Sequence, residues 1–275
     1  MRYRALVGLV LTVVLGGCPK QKEDETLTFA EAQQAVEEST LSSQAESLQS
    51  ASVEITTSFT IGQAVQNAAK EIGDFVATQL PCAEIQLADA TLTVTYGAKS
   101  GNCIYKGHTF SGSHSIHVQK NDQAQVLVHH EWKGLSNGRV KLDGTADVTW
   151  DFEAKSRQVV HSVKWTRVND GFSVTGEGDR TQTPLAGGVL EGIEVNGTRS
   201  WSSSRGQWDL TIDGVQMRWV EPVPQSGSYT LLTPKKKTLS LSFERVDEDT
   251  IKVTVGNGKR SFNFDVTKIG SVKSS

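Results

Sequence analysis

Five of the six histidines fall between positions 108 and 130: His108, His114, His117, His129 and His130. A zinc or copper centre would need several imidazoles to converge at about 2.1 Å from one point. Side chains alternate faces along a β-strand, so His114 and His117 point to opposite sides, as do His129 and His130. At most one member of each pair can meet across a ladder, and "HHEW" has the wrong order for a zinc-protease motif. No metal site is expected. His130 falls in phase with apolar residues and needs a hydrogen-bond partner there. Nucleophile signals are equally thin, since "FSGSHS" and "SGSYT" lack the G-x-S-x-G elbow. Asp143, Asp147 and Asp151 share one face of a strand, but neighbours among them stand about 14 Å apart. Inverting glycosidase pairs need about 6.5–9.5 Å and retaining pairs less. The acidic stretch "VDEDT" (246–250) lacks the spacing of a calcium loop and reads as a solvated turn. Lys235, Lys236 and Lys237 read as a solvated hairpin tip. No catalytic residue and no cofactor are expected.

The elements that would position these residues fall into a helical part and a strand part. Thr28 with Glu31 forms a capping box ahead of Phe29, Ala32 and Val36. Leu41, Ala45 and Leu48 suggest a second, weaker helix. Thr60 with Gln63 repeats the box, and Ile61, Val65, Ala68, Ile72, Val76 and Leu80 form a one-sided stripe that Pro81 ends. From Ala83 on the period becomes two. Val140, Leu142, Gly144, Ala146, Val148, Trp150 and Phe152 make one face of a long strand, and charged residues and threonines the other. Asp213-Gly214 and Asn257-Gly258 read as tight hairpin turns, and Asn169-Asp170-Gly171 joins a further pair. The first would set Ile212 on Val215, Leu210 on Met217 and Trp208 on Trp219. "VKLDGTADVTW" (140–150) and "IEVNGTRSW" (193–201) echo one another, as a duplicated sheet unit would. The expected fold is mainly β: a long antiparallel meander forming a curved, partly closed barrel or sandwich, with one or two N-terminal helices packed on it. A sheet this wide must curl, close or split. That layout is similar in architecture to periplasmic lipoprotein carriers, although no motif of that family occurs here.

The leader addresses the chain. "MRYR" is basic, and "ALVGLVLTVVL" (5–15) is apolar but far short of the roughly 20 residues that span a bilayer. Leu15-Gly16-Gly17-Cys18 closes it. That sequence resembles the lipobox of bacterial lipoproteins. The resemblance implies cleavage before Cys18, diacylglycerol on its thiol and a lipid anchor. It also implies residence in the cell envelope, with Pro19 in place of an inner-membrane-retaining aspartate pointing to the outer membrane. Loss of Arg2 and Arg4 with the leader takes the net charge from −3 to −5. A nucleic-acid partner would call for a basic stripe, so none is expected. In an oxidising compartment the remaining pair, Cys82 and Cys103, reads as a disulfide. Closing that loop would stabilise the fold by about 3 kcal/mol in the chain-entropy model.

The chain therefore divides into a signal peptide (1–17), a lipidated cysteine and tether (18–27), a helical segment (28–81) and an antiparallel β domain (82–275), with 28–275 as one folded unit. Three functional readings fit this organisation. The first is a non-catalytic envelope lipoprotein in a structural role, or binding a protein or polysaccharide. The second is a carrier of an apolar ligand such as a lipid, in a half-barrel lined by Val128, Val148, Trp150, Leu210 and Trp219. The third, an envelope hydrolase, has least behind it.

Overall fold

The structure, a computed structural model, describes residues 26–56, 65–120, 126–151, 154–218 and 224–275. Cys18, the Thr60–Gln63 pattern and Trp219 lie outside these residues.

The chain enters its first helix through the expected capping box. Thr28 Oγ1 accepts from the Glu31 N–H at 3.3 Å, and Glu31 Oε2 accepts from the Thr28 N–H at 3.2 Å. From there the chain runs as one continuous helix, α1 (Phe29–Thr56), rather than a helix and a weaker successor. Its buried positions include Ala32, Val36 and Leu48, but also Glu38, Ser42, Glu46, Gln49, Ser52 and Glu54. A helix enclosed on nearly all sides shows no single apolar stripe, so its periodicity fades beyond Val36. The second helix, α2 (Val65–Gln79), has the ordinary stripe. Its Ala68, Ile72 and Val76, with Leu80 just beyond, are buried, and it packs on the first strands of the sheet.

Those strands are β1 (Glu84–Ala88), β2 (Thr91–Tyr96), a small separate hairpin of β3 (Ile104–Tyr105) and β4 (His108–Thr109), then β5 (Ser111–Lys120), β6 (Val126–Ser136), β7 (Val140–Asp151), β8 (Ser156–Arg167), β9 (Ser173–Leu185), β10 (Gly188–Ser203), β11 (Gly206–Arg218), β12 (Pro224–Leu232), β13 (Thr238–Arg245), β14 (Thr250–Gly256), β15 (Ser261–Thr267) and β16 (Val272–Ser274). All except β3 and β4 form one antiparallel meander of fourteen strands, each paired with its neighbours in sequence. Among the described residues β1 and β16 are its two edges, and the sheet is not closed. It is instead curled around α1. Glu54, Glu46 and Glu38 of the helix meet side chains from β8, β9 and β10. The other side of the helix meets the far end of the sheet: Phe29 packs on Phe262 and Phe264, and Glu31 bonds Lys237. The expectation of a curved sheet with N-terminal helices holds, and α1 serves as its axle.

Several local readings are corrected. Asp213-Gly214 does not turn the chain; β11 runs straight through it. Gly214 has φ +55° beside a bulge, and Leu210 faces Arg199 on one side and Leu231 on the other. An Asp-Gly pair supplies a positive φ to a bulge as readily as to a type I′ turn. The β6–β7 turn lies at 137–139, and His130 pairs with Ala146. In the last hairpin Val253 faces Phe264, two residues beyond the Phe262 that a two-residue Asn257-Gly258 turn would set there, and it faces Phe243 on its other side. A slip of two keeps every side chain on its face, so the apolar pairing survives. Of the expected solvated tip, Lys237 is largely buried on Glu31 at the start of α1, while Lys235 reaches the same carboxylate and stays exposed. The sequence echo has a physical basis. Gly144 in β7 and Gly197 in β10 sit at φ +141° and +137°, where a Cβ would strike the backbone of β8 or β9. Both glycines bend a long strand around the axle.

Candidate functional site

The axle is held by charge. Glu38, Glu46 and Glu54 recur every eight residues along α1, about 12 Å apart. Glu54 meets Arg157 of β8 at 2.9 Å. Glu46 meets Arg180 of β9 and, at 3.5 Å, Arg199 of β10. Glu38 accepts from Trp201 Nε1 at 3.1 Å and from Arg205, at the β10–β11 turn, at 3.2 Å. Arg157, Arg180 and Arg199 are all buried, on the inward phase of their strands. Burial, and then the neighbouring Arg199, pulls the Arg180 guanidinium down to about 9. Gln49 and Ser50 of α1 complete the shell around Arg180.

Along another face of α1 the sheet stands off. A cavity of 490 Å³ opens between that face and the inner side of β11–β15. Its sheet wall is apolar: Met217, Tyr229, Leu241, Phe243, Ile251, Val253 and Val266. Its helix wall is Val36, Ser39, Thr40, Ser43, Gln44, Glu46 and Ser47, the i, i+3, i+4 and i+7 positions of one helical face. The polar groups of that wall are largely satisfied within the protein. Ser39 donates to the Ala35 carbonyl at 2.7 Å, Ser43 accepts from Arg199, and Ser47 bonds His108 at 3.1 Å. Glu46 is held by its two arginines. An apolar guest against this wall therefore strands few polar groups.

The β3–β4 hairpin flanks the cavity. Lys106 and Gly107 form its tip with φ +45° and +77°, the two positive values of a type I′ turn. Lys106, Gly107, His108 and Thr109 line the cavity, as do Asn137, Arg139 and Val140 from the β6–β7 turn. His108 ties the two turns together, with Asn137 at 3.0 Å and Ser47 of α1 at 3.1 Å. Burial, and then nearby Arg139, lowers its imidazole to about 4. Burial also brings Lys106 down to about 8, against the pull of Glu54. The base of the hairpin is pinned by the Cys82–Cys103 disulfide, with Cα atoms 5.4 Å apart, which ties it to the end of α2.

Elsewhere the structure gives the candidate residues plain roles. Val128, Val148, Trp150 and Leu210 are buried in the inner layer of the sheet, and none of them lines the 490 Å³ cavity. Two pairs of histidines meet across the β5–β6 ladder: His114 Nε2 to His130 Nδ1 at 2.9 Å on the buried face, and His117 opposite His129 on the outer face. Tyr96 bonds the other nitrogen of His114 at 3.3 Å, and Trp132 stacks on His130. Burial holds His114 at about 3 and His130 well below its ordinary range. His129 pairs with Asp147 at the surface and His117 with Thr91. Among the described residues no group of three or more His, Cys, Asp or Glu is placed to hold a metal ion, and no helix is long and apolar enough to cross a membrane. The buried arginines escaped the sequence reading, although Arg157 sits in phase with Val159, His161, Val163 and Trp165. The cavity cations escaped it too, since Lys106 and Arg139 belong to turns, where no periodicity operates. No protein-family model, curated protein or solved structure matches the chain.

Proposed function

We propose that this is a lipid-anchored protein of the bacterial cell envelope whose curled sheet binds a small apolar or amphipathic molecule without catalysis. One observation carries the binding reading: the 490 Å³ cavity between α1 and the apolar face of β11–β15. Native interiors leave few voids larger than a water molecule, whereas small-ligand sites run to about 300–1,000 Å³. A space of this size, walled by aliphatic and aromatic side chains and flanked by cations, is laid out as a ligand site and not as a packing fault. The lipid anchor rests on the Leu15–Cys18 sequence and places the site beside a bilayer, where acyl chains are abundant.

The two halves of this reading are tested separately. Cells fed labelled palmitate should label the wild-type protein and leave Cys18→Ser unlabelled and unprocessed; label on the variant would refute the anchor. Native mass spectrometry of the full Cys18→Ser chain, which takes no acyl group of its own, should show a co-purified lipid. Repeated spectra of the bare polypeptide, with no adduct when lipid is added, would refute the cavity's role.

A further inference from the structure

A second cavity adjoins the first and deepens that reading, because it specifies the ligand's head. Its volume is 400 Å³, and it lies between α1 and the β8–β9, β10–β11 and β15–β16 turns. Thr40 and Gln44 of α1 and Gly270 of the β15–β16 turn line both cavities. At this shared wall Gly270, with φ +82°, leaves room for Gln44, since a Cβ there would strike the Gln44 amide. The charged side chains lining the second cavity are already matched. Arg167 donates to Asp170 through Nε and Nη2, the shortest bond being 2.6 Å. Arg205 meets Glu38 at 3.2 Å and Glu37 at 3.6 Å. The uncharged lining differs: among the described residues, the side chains of Thr40, Gln44 and Asn169 have no hydrogen-bond partner in the protein. We infer that the ligand is a single-chain lipid with an uncharged, hydroxyl-bearing head, its tail in the 490 Å³ cavity and its head in the second, with Thr40, Gln44 and Gly270 at the junction. This rests on the proposed binding role of the first cavity.

The paired charges select against a charged head. An anion would have to displace Glu37, Glu38 or Asp170 from an arginine, and a cation would have to displace an arginine from one of them. A hydroxyl both donates and accepts, so it can bond the threonine hydroxyl or either end of an amide and leave every ion pair intact. Two or three such bonds, made to side chains that have none within the protein, separate a hydroxyl-bearing head from a bare tail by about tenfold or more in affinity.

Isothermal titration of the full Cys18→Ser chain with decyl glucoside, 1-decanol, decanoate and decyltrimethylammonium, each kept below micelle formation, tests the assignment. The glucoside is expected to bind at least about tenfold more tightly than any of the others. Gln44 is half-buried and Asn169 exposed, so Gln44→Met with Asn169→Ala should leave folding intact. That double variant should bring the glucoside down to the level of decanol, with decanol itself unchanged. Decanol matching the glucoside, or either charged probe binding best, would overturn the hydroxyl-bearing head and leave the apolar cavity standing. A double variant that keeps the full gap would overturn the head's place in the second cavity. Absence of binding by all four would overturn both this inference and the proposed function. 1-Monodecanoylglycerol separates the two sources of such a head: tighter binding than the glucoside marks a glycerol, and weaker binding a sugar.

Discussion

Between pH 7.5 and pH 5 the folded state is expected to lose several kcal/mol, well before the carboxylates titrate. The cause is a set of imidazoles buried in neutral form. His108 and His161 are held at about 4 and His114 at about 3, with His130 displaced in the same direction. Desolvation is the first cause in each case. Neighbouring cations add to it: Arg139 beside His108, Arg199 beside His161, and Arg157 with the partner imidazole beside His130. An unfolded chain takes up these protons near pH 6.5. Between that value and the folded one the unfolded state binds more protons, so stability is full above about pH 6.5 and drains away as the pH falls. Each such histidine costs about 1.4 kcal/mol per pH unit in that window. A domain with about 5–15 kcal/mol in hand should approach unfolding near pH 5. Glu31 adds its share only later. Its burial would raise the carboxyl, but bonds from Lys237, Thr28 and Lys235 hold it at about 2, so its contribution is lost below about pH 4.5. Urea midpoints at pH 7.5, 6 and 5 check the prediction. His161→Gln should flatten the slope by about 1.4 kcal/mol per unit, and midpoints level down to pH 4.5 would contradict it.

The same residues show how far the sequence could be read. Strand faces were legible because burial acts on every second residue, and Val140, Leu142, Ala146, Val148 and Trp150 are buried as their phase requires. Partner registers were less so. Turn signatures fix a register only where the turn has the length they imply, and the loop after Gly256 takes four residues, 257–260, where Asn257-Gly258 implies two. The expectation that at most one histidine of each pair could meet across the ladder fails, because the two faces of β5 and β6 each bring a pair together: His114 bonds His130 on the inner face and His117 stands opposite His129 on the outer one. The axle was harder. Amphipathic periodicity describes an element with one wet side, and α1 has almost none. Its signal lay in two polar patterns, glutamates eight apart on the helix and arginines in core phase on β8, β9 and β10, each of which looks like noise without the other. The cavity was invisible because it is a gap between elements distant in sequence. Val128, Val148, Trp150 and Leu210, expected to line a half-barrel, fill its layer instead, since the curl brings α1 against β8–β10 and leaves the space opposite β11–β15.

Glu46→Gln is expected to destabilise the domain by about 3–5 kcal/mol, more than any surface change. The carboxylate stands between Arg180 and Arg199, both buried, and Arg199 already depresses Arg180. Removing it leaves two like charges facing each other out of reach of water. The attraction itself is not the main source of this cost: desolvating three charged groups offsets most of the Coulombic gain, and breaking the set is costly because the survivors stay buried. Replacing all three together with Leu, Met and Met should therefore restore much of the lost stability, as a set of apolar residues of similar volume leaves no orphaned charge. The two outcomes separate structure from specificity. The ion pairs meet α1 at three heights, on β8, on β9 and β10, and at the β10–β11 turn, so a one-turn slide of about 5.4 Å would break all of them. In the apolar triple variant one of the three clamps is gone, and α1 should exchange its amide hydrogens faster than the sheet even where the urea midpoint recovers. A single variant costing less than about 1 kcal/mol, or a triple variant as unstable as the single, would show that the charges do not hold the axle.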